Sequence, residues 1–411
     1  MLPFLVFVVT RLGGNALVYG AMGATYSVFQ LVGAPALGRW SDRFGRRRIL
    51  LLSQLGTLAS WLIFLGALYL PVNVLTEVDT RMTGAFTLTL PLVVLFVARA
   101  LDGLTGGNVS VANAYLADVT AEEDRSVNFG RMAVASNLGF VFGPAIAGIL
   151  GGTALGEVPP VMAAIGISVF ASLIIFLSLE ESTPCVITSK PERADVGDVL
   201  GQELKECYRI DRDVGVSLSD ALRPAGIRLL LAVHFLIFLA FNFYYISFPV
   251  HAATDLGWTL AEVGIFFSAM GLMMALVQGP VLGRASKRFS DRMLVLAGSV
   301  ILAAGFGLYA SASVAVIYGA TACVALGNGL MWPTLLSLIS KSAEGSTQGA
   351  VQGFASSSAA VASIAGLLLG GMLYEQIGGQ IFLISGVVAG LAVAVALGIP
   401  RTDGVSRPAT T

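Results

Sequence analysis

Charge is scarce in this sequence. Its 411 residues hold 24 basic and 25 acidic side chains, 12% of the chain, and 56% are hydrophobic, whereas an average soluble domain is about 25% charged. A water-soluble globule of this composition would expose large apolar patches, so lipid is expected to be the solvent for much of the surface. Histidine occurs twice, and the three cysteines, Cys185, Cys207 and Cys323, form no CxxC pair and have no nearby His. They read as free thiols, and no metal site is expected. GxxxxGK[ST], HExxH and GxSxG are all absent, which excludes transport driven by ATP on this chain and gives no sign of an enzyme. With a net charge of −1 there is no basic footprint for nucleic acid.

What is present is apolar sequence in lengths of about 20 residues, enough to cross about 30 Å of hydrocarbon. Such spans fall at 17–37, 49–70, 91–117, 129–151, 159–179, 227–250, 261–282, 293–312, 314–339, 347–373 and 377–399. Met1–Thr10 is apolar but too short to span, and it lacks the basic start and cleavage site of a signal peptide. It is expected to be an interfacial piece or, the favoured reading, half of a first helix whose remainder would precede Met1. Lys and Arg set the orientation: with 38–48 inside, 21 of the 24 fall on the cytoplasmic side, Arg11 and Arg81 lie opposite, and Arg99 lies within a span. The central interval and the C-terminus are thereby cytoplasmic.

The chain repeats itself. LVGAPALGRWSDRF at 31–44 returns 245 residues later as LVQGPVLGRASKRF, identical at nine of fourteen positions, and Gly143-Pro144…Gly148 returns as Gly366…Gly371. The expected organisation is a first membrane half at 1–179, a charged cytoplasmic linker at 180–226 carrying a short surface helix with Leu200, Leu204 and Cys207 on one stripe, a second half at 227–400, and a tail at 401–411.

Gly38-Arg-Trp-Ser-Asp42-Arg43-Phe-Gly45-Arg46-Arg47-Arg48 joins two spans. Anchoring by positive charge explains its arginines but not Gly38, Asp42 and Gly45. The segment resembles the GxLaDrxGrr signature of the major facilitator superfamily. The resemblance implies an all-α membrane protein of two pseudo-symmetric six-helix bundles, here with the first helix truncated. It also implies a cytoplasmic latch in which Gly38 allows close helix approach, Gly45 completes the pattern, and Asp42, Arg43 and Arg46 make charge-assisted contacts. In the second copy Lys287 replaces the acid. Gly130, Gly139, Gly143, Pro144 and Gly148 resemble the fifth-helix motif of proton-coupled drug antiporters, with Ala147 where that motif has Gly. Small residues alone would serve helix packing, but Pro144 adds a bend that packing does not require.

The span ARALDGLTGGNVSVANAYLADVT resembles the same helix of tetracycline-efflux-like transporters. A rotation of 100° per residue puts Arg99, Asp102, Gly106, Ser110 and Asn113 on one stripe. A mid-bilayer charge costs at least about 2.5 to 3.5 kcal/mol, so Arg99 and Asp102 are expected to pair and face a cavity, with a structural ion pair as the competing reading. His234 is a further proton candidate, alongside Asn113. Asn242, Tyr245, Gln278, Asn328 and Trp332 are candidates for a permissive substrate cavity, although core packing explains each singly. The acidic residue such exporters carry in the third helix is replaced by Ser60.

The function expected is alternating-access export of a small amphipathic molecule, by a monomer in a bacterial inner membrane, driven by the proton gradient without a cofactor. Proton-coupled metabolite uptake, or a non-transporting receptor or inactive truncated product, are the alternatives.

Overall fold

The computed structural model describes residues 2–106, 108–120, 124–182, 226–342 and 348–399. The linker stripe, Cys185, Cys207 and the tail from 401 lie outside them.

The helices are α1 (Leu2–Arg11), α2 (Ala16–Phe44), α3 (Arg46–Tyr69), α4 (Leu90–Thr105), α5 (Asn108–Val119), α6 (Arg125–Gly151), α7 (Val158–Ser178), α8 (Ile227–Thr254), α9 (Leu260–Leu276), α10 (Leu282–Ala285), α11 (Asp291–Leu308), α12 (Val314–Lys341), α13 (Gln348–Ile377) and α14 (Ile381–Leu397). Each expected span falls on helix, with 91–117 divided between α4 and α5 and 261–282 running through α9, a π turn and the start of α10. Helix is the form that satisfies its own backbone where no water can. The internal repeat survives with one difference. Pro35 is carried inside α2, whereas Pro280 sits in a π turn, Val277–Val281, that separates α9 from the single turn of α10. Gly279 beside the donor-less Pro280 loosens the second copy there.

One element was not expected. The connection at 71–90 forms an antiparallel hairpin, β1 (Val74–Thr80) with β2 (Gly84–Thr89), paired from Val74↔Thr89 to Thr80↔Gly84. An isolated two-stranded ribbon is marginal in water. This one is held from outside: Thr87 donates its N–H to the Gly13 carbonyl at 2.8 Å, and Asn15 Nδ2 donates to the Thr83 carbonyl at 2.8 Å. Asn15 also caps α2, accepting the Val18 N–H at 3.1 Å.

The described chain forms two compact units. One comprises the described parts of Met1–Val214, Ile246–Ala269 and Leu367–Gln376, and the other those of Gly215–Tyr245, Met270–Gly366 and Ile377–Thr411. In the first unit α1 buries Phe4, Leu5, Val6, Val8 and Val9, while α7 has its polarity inverted. Ser168 and Ser172 are buried and Phe170, Leu173, Ile174, Phe176 and Leu177 are exposed, the pattern of a helix whose solvent is hydrocarbon. Closest approach comes where side chains are absent: a Cβ at Gly33 would collide with the Leu104 carbonyl, bringing α2 and α4 into backbone contact. In the second unit α11, α12 and α14 enclose Leu302, Phe306, Tyr309, Val324 and Phe382. Tyr244 of α8 enters that core by donating to Tyr309 Oη at 3.2 Å, and Tyr309 hydrogen-bonds the Thr321 hydroxyl at 2.8 Å.

The two glycines of α2 should respond oppositely to one methyl group. Among the described residues nothing lies within 4 Å of a Cβ at Gly38, so Gly38→Ala should leave the thermal midpoint in detergent unchanged or raise it, in line with helix propensity. Gly33→Ala should lower stability by about 1 to 3 kcal/mol through overpacking. Equal midpoints for the two variants would refute the α2–α4 contact.

Candidate functional site

Three polar clusters carry the residues singled out by sequence. The first lies at the arginine-rich end of the first unit. Gly45 has φ of 101°, and a Cβ there would strike the Glu181 carboxylate, so glycine is required for both backbone and space. That carboxylate closes the start of α3, accepting the Arg46 N–H at 2.6 Å and the Arg47 N–H at 3.3 Å, which a helix leaves without internal partners. Arg46, 9% exposed, places Nε 3.0 Å from Asp118 Oδ2 and donates from Nη1 to Ser41 Oγ at 2.8 Å. Ser182 donates to the same Asp118 oxygen at 3.1 Å. Arg47 donates to the Phe176 carbonyl at 2.6 Å. Arg43 is exposed, its guanidinium 5.3 Å from the Phe44 ring. The side chain of Asp42 lies outside the described residues. The close approach expected at Gly38 is not made by the described residues. Asp118 and Glu181, which sequence reasoning missed, are the acids that hold Arg46 in place.

The second cluster lies mid-span in the first unit. Arg99 Nη1 donates to Asp102 Oδ2 at 2.8 Å, with only 12% and 14% of the two side chains exposed. The Arg99 guanidinium also stands 4.7 Å from the Tyr26 ring, a cation–π contact that favours the charged form of an arginine removed from water. Gln30 donates from Nε2 to Tyr26 Oη and to the Gly106 carbonyl, each at 3.1 Å. Arg99 Nε is buried with no partner among the described residues. The pair expected from the i,i+3 spacing is therefore present, but the stripe does not continue as read. α4 stops at Thr105, where the Gly106 N–H turns back to the Gly103 carbonyl at 3.1 Å, and α5 begins at Asn108. Gly106 caps the end of the helix, so Ser110 and the half-buried Asn113 belong to a second helix.

Of the antiporter-like motif, Gly139 and Gly143 have nothing among the described residues within 4 Å of a Cβ, whereas Gly148 packs against Gly264 of α9, where a Cβ would lie 2.9 Å from the Gly264 Cα. A Cβ on Gly264 would in turn lie 2.6 Å from the carbonyl of Pro144, which stays inside α6. The surroundings of Gly130 lie outside the described residues.

The third cluster belongs to the second unit. His234, 3% exposed, stacks on Trp332 with ring centroids 5.2 Å apart, and Phe238 meets both rings. His234 Nδ1 has no partner among the described residues. Asn242 donates to the Phe238 carbonyl at 2.8 Å and to Ser363 Oγ at 3.3 Å, and Tyr245 stacks on Phe241 at 5.7 Å. Gln278 lies in the π turn and Asn328 on α12, both half-buried. No group of three His, Cys, Asp or Glu side chains suited to a metal occurs among the described residues.

Comparison with known proteins agrees along nearly the whole chain. The family model described as Major Facilitator Superfamily matches residues 1–275 and again 230–410. The class D tetracycline resistance protein of Salmonella ordonez is 29% identical over 94% of this chain and 89% of its own length. The class G tetracycline resistance protein of Vibrio anguillarum is 31% identical over 88% and 81%. Among solved structures, a D-xylose-proton symporter superposes with a TM-score of 0.70 at 14% identity, covering 94% of this chain and 89% of that one.

The mid-span pair makes a prediction about stability. Arg99→Ala strands the Asp102 carboxylate in low dielectric and should cost about 3 to 5 kcal/mol. Adding Asp102→Asn removes the second charge and should restore part of that loss. Unfolding in detergent of both single variants and the double variant supplies the cycle; strictly additive losses would show that the two side chains do not interact.

Proposed function

The chain belongs to the Major Facilitator Superfamily, and on that premise we propose that it exports a small amphipathic molecule in exchange for protons, acting as a monomer by alternating access. The two homologous halves, 1–179 and 227–400, rock about a midplane site, joined by the cytoplasmic linker 180–226, with the C-terminus also cytoplasmic. The observation that carries the reading is the Arg99–Asp102 pair. A buried ion pair is costly to maintain and adds little stability over an apolar replacement, so its place in a span of a chain resembling tetracycline resistance proteins favours a working role.

In this reading Asp102 is the proton-exchanging group. When it is ionised, Arg99 is held against it and against Tyr26; when it is protonated, Arg99 is released and its Nε donor becomes available to substrate. Gln30 fixes the Tyr26 hydroxyl. His234, Trp332 and Asn242 supply a flat and polar wall in the second half, with Tyr245, Gln278, Asn328 and the stem of Asn113 as further contacts. Asp42, Arg43 and Arg46 form the cytoplasmic latch, with Gly45 permitting its turn. No resident cofactor is required, the energy coming from the proton gradient.

Proton-coupled uptake is the second reading; the D-xylose-proton symporter, at 14% identity, bears on fold alone. Liposomes containing the purified protein and a pH-sensitive dye separate the two, with tetracycline as the first probe. Export predicts that added drug dissipates an imposed proton gradient, and that Asp102→Asn, which keeps size and hydrogen bonding but cannot ionise, abolishes this while still binding drug. Wild-type proton flux in Asp102→Asn would remove this residue from coupling, and co-directional movement of drug and protons would establish uptake.

A further inference from the structure

The last turn of α13 carries Tyr374, Glu375 and Gln376 in succession, and each side chain holds a different element of the first unit. Tyr374 donates its hydroxyl to Asp255 Oδ2 at 2.8 Å, and the same oxygen lies 2.6 Å from His251 Nδ1, so Tyr374 fastens the end of α8. Partial burial pushes the Asp255 carboxyl up, but bonds from Tyr374, His251 and Thr254 outweigh it and hold Asp255 below the ordinary carboxylate range. Glu375 Oε1 accepts the N–H of Ala16, the first residue of α2, at 2.6 Å. Gln376 Nε2 donates to the Met82 carbonyl in the hairpin turn at 3.2 Å.

Beneath these side chains the two backbones touch. A Cβ on Gly371 would strike the Ala16 carbonyl, and one on Gly20 would strike the Leu367 carbonyl and come within 3.3 Å of the Gly371 Cα. Glu375 is the one charge of the three, and it meets the positive end of the α2 dipole, where a carboxylate–amide bond is stronger than a neutral one. The three contacts also differ in kind. Tyr374 joins two elements of the second half of the sequence, whereas Glu375 and Gln376 join the second half to the first.

We propose that Glu375 is the latch of the hairpin end: its bond to the α2 N-terminus, seconded by Gln376 on the hairpin, holds this end closed and must break for it to open, while Tyr374 travels with α8 and stays bonded. This inference rests on the alternating-access reading, and its test uses no transport measurement, so failure of the proton-coupled export assay and failure of the latch are read separately.

The measurement is the distance between spin labels at Asp79, on the hairpin, and Leu256, in the connection after α8, in the full-length protein with its three cysteines replaced by serine. Glu375→Ala should raise the population of the long-distance form at least about fivefold, the lower end of usual coupling effects. Glu375→Gln, which keeps an acceptor but loses the charge, should fall between Ala and the parent. Tyr374→Phe should match the parent. Identical distributions for Glu375→Ala and the parent, or an equal shift in Tyr374→Phe, would overturn the latch. If Glu375→Ala does not fold, Glu375→Gln decides, and an unshifted distribution in it overturns the proposal.

Discussion

Hydrocarbon offers no partner to a polar group, and most of what this chain does with its few charges follows from that constraint. An unpaired charge at mid-bilayer is expensive, which is why Arg99 is engaged twice, by the Asp102 carboxylate and by the Tyr26 ring. The same constraint turns α7 inside out, with serines inward and phenylalanine, leucine and isoleucine outward. Without a hydrophobic force to press helices together in lipid, contact depends on shape. The glycines at 33, 148 and 264 let backbones approach to distances that any side chain would forbid.

The first unit manages its two ends by different chemistry. At the arginine-rich end, a buried guanidinium is matched by Asp118 and Ser41, and Glu181 closes the helix that Gly45 begins. At the hairpin end there is no such cluster of cations among the described residues; α2 starts under Asn15 and Glu375, both accepting from backbone amides. Each end thus places an acid at a helix N-terminus, Glu181 on α3 and Glu375 on α2, and both acids come from distant sequence.

That distance marks the limit of what the sequence could show. The spans were legible because twenty apolar residues have one economical conformation in lipid, and the Arg99–Asp102 pair because one helical turn separates its members. Tyr26 and Gln30 were not legible as members of that site: they reach it from α2, and nothing in their own neighbourhood distinguishes them from other polar residues of a span. Asp118 and Glu181 looked like solvated charges at span ends. Val74, Thr76, Val78 and Thr80 alternate in a way that suits a strand, but the hairpin depends on a bond donated to the Gly13 carbonyl and one received from Asn15, residues that lie far away in the chain. The consecutive glycines at 106 and 107 of the sequence are the one local signal that α4 stops and a second helix begins.

Proton exchange at Asp102 is the claim on which the functional account turns, and infrared difference spectroscopy of the purified protein across a pH titration tests it most directly. The account predicts a protonated-carboxyl stretching band that grows as pH falls, shifts when substrate is bound, and is missing from the Asp102→Asn variant. A titrating band that persists unchanged in Asp102→Asn, or the absence of any band that separates the two proteins, would contradict it.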